Sequence, residues 1–251
     1  MSTQRFLEGK TAIVTGGAKN IGRAISLSLA EVGASIVIVT RSSTKAAAEV
    51  VDEITSTGGS ALCLQADVSV EQEVEEFTRK ATEIFGGIDV LVNNASLRTH
   101  YPLQKLSLDK WREVLSINLD GPYLCARACI SSMLKNGGGR IVNIGGASGH
   151  IGGSQRAHVI TSKAGLVGLT KALAVEFGDK GITANIVVPG TIDADWDTIV
   201  KRAEYPGGRE TLVGRTGVPG EVAAAVRYLV SPEAAYVTGQ SIHVNGGKYL
   251  P

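Results

Sequence analysis

The stretch GSQRAHVITSKAGLVG, Gly153 to Gly168, carries one lysine, Lys163, among small and apolar residues, with His158 shortly before it. Lys163 is the most reactive side chain of the stretch and would serve a separate proton donor; the imidazole of His158 titrates near neutrality and could be that donor. Two other segments bear side chains of similar use: SLRTHYPL, with Arg98, His100 and Tyr101, and SINLDGPY, with Asn118. Arg98, His100, Arg156 and His158 also form a set that could hold an anion, either a carboxylate or the phosphate of an acyl thioester. Ordinary solvated surface charge is the competing explanation of that set. The three cysteines, Cys63, Cys125 and Cys129, contain no CxxC pair and are odd in number, which points to reduced packing residues and to no metal site.

A different chemistry is written in TGGAKNIGRAI, Thr15 to Ile25. A glycine-bearing turn between a strand and an amphipathic helix presents backbone N–H groups and the positive end of a helix dipole, which together suit a pyrophosphate. At the end of the next strand stand Thr40, Arg41 and Ser42. A carboxylate there would accept hydrogen bonds from an adenosine ribose and repel a 2′-phosphate, whereas a guanidinium suits that phosphate. With Lys19 in the glycine loop as a second cation, the residues favour NADP(H) over NAD(H).

These groups must be positioned by a scaffold, and the apolar pattern supplies one. Short β-branched runs at 11–15, 35–40, 61–66, 88–93, 140–144, 183–188 and 241–245 predict seven strands, nearly continuous in hydrophobicity as strands covered on both faces are. Helical spacing fills 20–32, 43–57, 70–85, 107–136, 155–178 and 221–230 between them. This alternation predicts an α/β, doubly wound, seven-stranded parallel sheet in a single domain spanning residues 1–251. The long irregular region at about 189–220 is expected to act as a lid over the site.

The bulk composition agrees. With 43% hydrophobic and 20% charged residues the chain has apolar material for a core, and a formal net charge of +1 offers no general field for nucleic acid or an anionic membrane. No targeting or membrane-spanning segment is legible, so a cytoplasmic protein is expected.

Taken together, the motifs resemble those of the short-chain dehydrogenase/reductase family, and in particular its 3-oxoacyl-ACP reductase-like members. Thr15, Gly16 and Gly22 match that family's TGxxxGxG loop, with Asn20 in place of the middle glycine. NNAS at 93–96 is similar to NNAG, and VTGQSIHVNGG at 237–247 to VTGxxxxVDGG, with Asn245 for the aspartate. The resemblance implies a Rossmann fold and a nucleotide held by Thr15, Gly16, Lys19, Asn20, Ile21, Gly22, Arg41, Ser42, Asp67, Val68, Asn94, Ala95, Lys163, Pro189 and Gly190. It also implies a Ser, Tyr-x-x-x-Lys, Asn site, in which the tyrosine moves the proton, the lysine lowers its pKa, the serine steadies the carbonyl and the asparagine supports a water relay.

Here the chain departs from the pattern. Lys163 and Asn118 match, but Val159 stands at the tyrosine position, Gly146 at the serine position and Ala194 where a threonine would touch the nicotinamide. A one-residue gap would bring His158 to the tyrosine position, yet KAGLVGLTKALAVE matches without gaps, and one residue turns a helical side chain by roughly 100°. The substitute acids are His158, which could equally face solvent or a partner chain, Tyr101 with His100 beside it, and Ser148 for the missing hydroxyl.

The expected function is an NADP(H)-dependent oxidoreductase that interconverts a carbonyl and an alcohol on an anionic or acyl-thioester small molecule, with a non-standard acid; the assigned catalytic residues are Lys163, Asn118, His158 and Tyr101. Two alternatives stand beside it: a catalytically silent subunit that pairs with an active relative, and a non-redox lyase or isomerase. Excess apolar residues on 107–136 and 155–178, among them Leu115, Leu119, Leu124, Ala128, Leu166, Leu169, Leu173 and Val175, are expected to pair subunits into a homodimer or homotetramer.

Overall fold

The computed structural model describes residues 5–193 and 211–251. Seven strands form one parallel sheet: β1 Thr11–Thr15, β2 Ser35–Thr40, β3 Ala61–Gln65, β4 Val90–Asn93, β5 Gly139–Ile144, β6 Ile182–Pro189 and β7 Ser241–Val244, in the order β3-β2-β1-β4-β5-β6-β7. Neighbours within strands face opposite sides: Val14, Ile36 and Ile38 enter one core while Ile13, Val37 and Val39 enter the other. Both faces are therefore dry, which is why the strands read as unbroken apolar runs.

Helices α1 Asn20–Glu31, α2 Thr44–Ser56 and α8 Pro219–Val230 cover the first face, where Ile25, Leu29, Val50 and Val226 are buried. Helices α3 Glu71–Phe85, α5 Gly121–Lys135 and α7 Ala157–Phe177 cover the second, with Phe77, Met133 and Leu173 inside. Cys125 and Cys129 are buried there too, and burial raises both thiols, Cys129 to about 12; no disulfide joins the three cysteines.

The helix expected over 107–136 is interrupted. It begins at α4 Leu108–Leu115, whose first turn is capped by Ser107 accepting from the Lys110 N–H, passes through a π turn at Ser116–Asp120, and resumes as α5. The periodicity alone hid this, because one wide turn shifts the apolar stripe without ending it. Leu166 and Leu173, expected on a subunit-pairing face, are instead buried in the chain's own core, whereas Val175 is exposed. A short helix, α6 Ser148–Ile151, stands between β5 and α7.

The expected lid falls largely on residues outside those described, as does Ala194. Its described ends are tied together: the Gly217 N–H donates to the Thr191 carbonyl and the Asp193 N–H to that of Gly217, both at 2.9 Å. Among the described residues no helix is long and apolar enough to cross a membrane, and no cluster of potential metal ligands occurs.

Candidate active site

Two adjoining cavities that share Ser96 open along the carboxyl edge of the sheet, where the strand order reverses between β1 and β4. The larger, about 350 Å³, runs from Ile21 and Asn94 past Gly145 and Gly146 to Val159, Lys163, Pro189 and Gly190. The smaller is lined by Gly16, Arg41, Ser42, Asp67, Val68 and Ala95, among others.

The glycine loop joins them. Gly16 has φ +65° and Asn20 φ +51°, both left-handed, so an asparagine occupies a conformation that glycine adopts without strain. A Cβ on Gly22 would stand 2.1 Å from the Gly16 carbonyl oxygen, so helix and strand approach here as closely as backbone permits. The Thr15 hydroxyl accepts from the Asn94 and Ala95 N–H groups, and the Asn94 side chain donates to the carbonyls of Thr15 and Gly16 at 3.0 Å, which locks the ends of β1 and β4 together. No side chain caps the start of α1 and no acid lies in its first turn. With Ile21 of that turn on the cavity wall, its N–H groups and dipole fit a pyrophosphate.

At the other end, Arg41 and Ser42 line the smaller cavity, and the Arg41 guanidinium lies 3.4 Å from the Asp67 carboxylate. Desolvation pushes the Asp67 carboxyl up, but hydrogen bonds from Ser69 and the pairing with Arg41 outweigh it, and the group stays below its ordinary range. Lys19 is exposed and lines neither cavity.

Lys163 is buried at the floor of the larger cavity. Its ammonium donates to the Ile144 carbonyl at 2.7 Å, and burial, helped by the Arg98 charge, pushes its pKa down to about 7. Asn118, in the π turn, is buried with its amide fully engaged: it accepts from the Leu97 N–H and donates to the Leu97 carbonyl and the Ser162 hydroxyl. It fixes the chain leaving β4.

His158 and Tyr101 do not line the cavity. His158 is wholly buried, which corrects the expectation that it faces solvent or a partner; its Nε2 lies 2.8 Å from the Thr99 hydroxyl and its Nδ1 is buried without a hydrogen-bond partner. Desolvation, then the charges of Arg156 and His100, lower its pKa. Tyr101 rests its ring 5.8 Å from that of His158, and its N–H donates to the Gln155 carbonyl at 2.8 Å. At the N-cap of α7 and along the helix the cavity touches Arg156, Val159 and Lys163. Val159 and Lys163 share one helical face, and His158 lies off it.

The chain has well-covered relatives. A sequence profile for the family described as Enoyl-(Acyl carrier protein) reductase matches residues 16–248. The 3-oxoacyl-[acyl-carrier-protein] reductase of Synechocystis sp. is 40% identical over 245 residues, covering 97% of this chain and 98% of the relative. The corresponding enzyme FabG of Vibrio cholerae serotype O1 is 36% identical over 245 residues, covering 97% and 99%. The chain belongs to the short-chain dehydrogenase/reductase family. It is an oxidoreductase of that family, and solved structures agree: a metagenomic blue fluorescent protein in complex with NADPH has 35% identity and a TM-score of 0.92, covering 98% of this chain and 100% of its own. A dehydrogenase/reductase from Sinorhizobium meliloti has 34% identity and a TM-score of 0.93, covering 100% and 99%.

Within this short-chain dehydrogenase/reductase, Val159 presents a buried apolar wall one turn before Lys163, and Gly146 carries no side chain, although the Ser148 hydroxyl lies 3.8 Å from where a Cβ on Gly146 would stand. Ser148 does line the cavity. Four polar lining residues, Ser96, Ser154, Thr191 and Lys248, were not singled out from sequence. Ser96 carries a buried hydroxyl without a partner, and Lys248 reaches in from the C-terminal tail with its Nζ 3.2 Å from the Thr191 hydroxyl. The glycine pair Gly246 and Gly247, at φ +61° and +76°, turns the tail back toward the site and was the available signal for Lys248.

Proposed function

We propose that this protein is an NADP(H)-dependent oxidoreductase interconverting a carbonyl and an alcohol, with Lys163 serving as the group that gives or takes the proton. The observation that carries the reading is the placement of Lys163: among the described lining residues it is the one buried titratable group, and its proton affinity lies near neutrality. NADPH, when bound, supplies the hydride. The uncapped start of α1 holds the pyrophosphate, Arg41 and Ser42 take the 2′-phosphate, and Pro189 and Gly190 border the nicotinamide end. Lys163 spends one N–H on Ile144 and keeps two for the cavity, so its ammonium can donate to the carbonyl oxygen, and the neutral amine left behind is reprotonated from solvent. The relatives, as 3-oxoacyl-[acyl-carrier-protein] reductases, point to a 3-oxoacyl group as the first substrate class to try. Cytoplasmic location and pairing of subunits into a homodimer or homotetramer complete the reading.

In this arrangement His158 and Tyr101 hold structure and Lys163 does the chemistry. Lys163→Met should lower NADPH consumption with 3-oxoacyl thioesters by about a hundredfold. His158→Gln and Tyr101→Phe should each cost far less. Wild-type rates in Lys163→Met would overturn the assignment. The apolar Val159 wall favours one second reading, a nucleotide-binding subunit that is silent alone; it predicts NADPH binding without consumption until an active relative is added.

A further inference from the structure

The larger cavity is cationic beyond what the nucleotide reading uses. Arg98, His100, Arg156, Lys163 and Lys248 line it, and no aspartate or glutamate does among the described residues. The side chains of 98–101 alternate. Arg98 and His100 face the cavity, while Thr99 meets His158 and Tyr101 packs on the same ring. A second clamp, from the Tyr101 N–H to the Gln155 carbonyl, ties this loop to the residue before Arg156. Gln155 is held at φ +59°, one of two non-glycine residues in the left-handed region among those described, so the turn that presents Arg156 carries backbone strain.

Arg156 itself has a buried Nε with no hydrogen-bond partner. A buried guanidinium nitrogen without a partner costs free energy, and the same side chain lines the cavity. Arg156, the N-cap of α7, precedes Lys163 by seven residues, about 10 Å of helix axis, and both line the cavity. Both long side chains line the one cavity, where they can reach opposite ends of one small molecule.

We propose that Arg156, with Arg98 and His100 beside it, binds a carboxylate carried by the substrate itself, so that the enzyme acts on small oxo acids or hydroxy acids. This inference rests on the reading of Lys163 and NADP(H) given above and names the substrate class for the same site. The planar fork of Arg156 matches a carboxylate, and bound charge relieves the mutual repulsion of the surrounding cations. The depressed Lys163 pKa, to which Arg98 contributes after burial, registers that repulsion. His158 and Thr99 act as positioning residues that turn Arg98 and His100 inward.

The test uses two readouts. In the first, NADP⁺-loaded protein is titrated calorimetrically with short unbranched carboxylates and with the matching primary amides. The carboxylates should bind at least about tenfold more tightly, and Arg156→Gln should erase the difference while Arg156→Lys keeps part of it. In the second, NADPH consumption is followed with 3-oxobutanoate, its methyl ester and its N-acetylcysteamine thioester. The free acid should be preferred, and the preference should collapse in Arg156→Gln. Carboxylate-selective binding without consumption would keep the anion site and overturn the redox reading. Consumption with no preference for the free acid, or equal binding of acids and amides, would overturn the anion site and leave the redox reading standing. Loss of NADPH affinity in Arg156→Gln would assign the cationic cluster to the nucleotide and also overturn the proposal.

Discussion

Val159 and Lys163 stand one turn apart on the face of α7 that lines the larger cavity, the first an apolar wall and the second a buried ammonium bonded to the Ile144 carbonyl. A tyrosine at 159 would bring a phenol beside that ammonium, where the cation favours ionisation and proton transfer. Val159→Tyr is expected to raise the rate of carbonyl reduction about tenfold or more while costing about 1–3 kcal/mol in stability through overpacking. Steady-state NADPH consumption and thermal unfolding check both halves. An unchanged rate would mean that the cavity does not hold its carbonyl beside residue 159.

Lys163 also ties stability to pH. Its folded pKa of about 7 lies below the ordinary 10.5, so between these values the unfolded chain binds the proton that the native chain refuses. Stability therefore rises with pH across that window, and the burden on the fold is fully present below about pH 7. Lys163→Met should lose this slope, and by thermal unfolding it should be the more stable chain near pH 7, by up to a few kcal/mol. The same ionisation predicts that carbonyl reduction slows as pH rises through about 7, where the ammonium gives up its proton.

The histidines act at acid pH. Desolvation lowers His150, His158 and His243 from 6.5, with neighbouring charges adding to the effect at His158 and His243. Each is taken up neutral, so stability present above about 6.5 is lost as pH falls below it. His158→Asn should shrink the difference in melting temperature between about pH 7 and pH 5. An unchanged difference would show that His158 is not held neutral.

The glycine loop separates two substitutions. Asn20→Gly removes left-handed strain but frees the unfolded chain, so stability should change by less than about 1 kcal/mol and NADPH binding should persist. Gly22→Ala places a methyl group against the Gly16 carbonyl and should cost about 2 kcal/mol or more and abolish NADPH binding. Calorimetric unfolding and NADPH titration of both variants decide it.

The sheet was legible because strands buried on both faces leave apolar runs such as SIVIVT, Ser35–Thr40, that no turn interrupts. Lys163 and the glycine loop were legible because local spacing fixes their place on α7 and α1. The orientation of His158 and Tyr101 was not. Which members of 98–101 face the cavity depends on the pairing of Thr99 with His158, a contact between residues far apart in the chain. The π turn at Asn118 was hidden for a related reason, since the amide's bonds to the Leu97 backbone, not helical periodicity, hold it in place.

The most direct test of an NADP(H)-dependent enzyme is calorimetric titration of the wild type and Arg41→Ala with NADPH and, separately, NADH. Arg41 lines the smaller cavity beside Ser42 with no carboxylate at the end of β2. The wild type should bind NADPH more tightly than NADH, and Arg41→Ala should weaken NADPH by about tenfold or more while leaving NADH nearly unchanged. Equal affinity for the two nucleotides, or binding of neither, would contradict it.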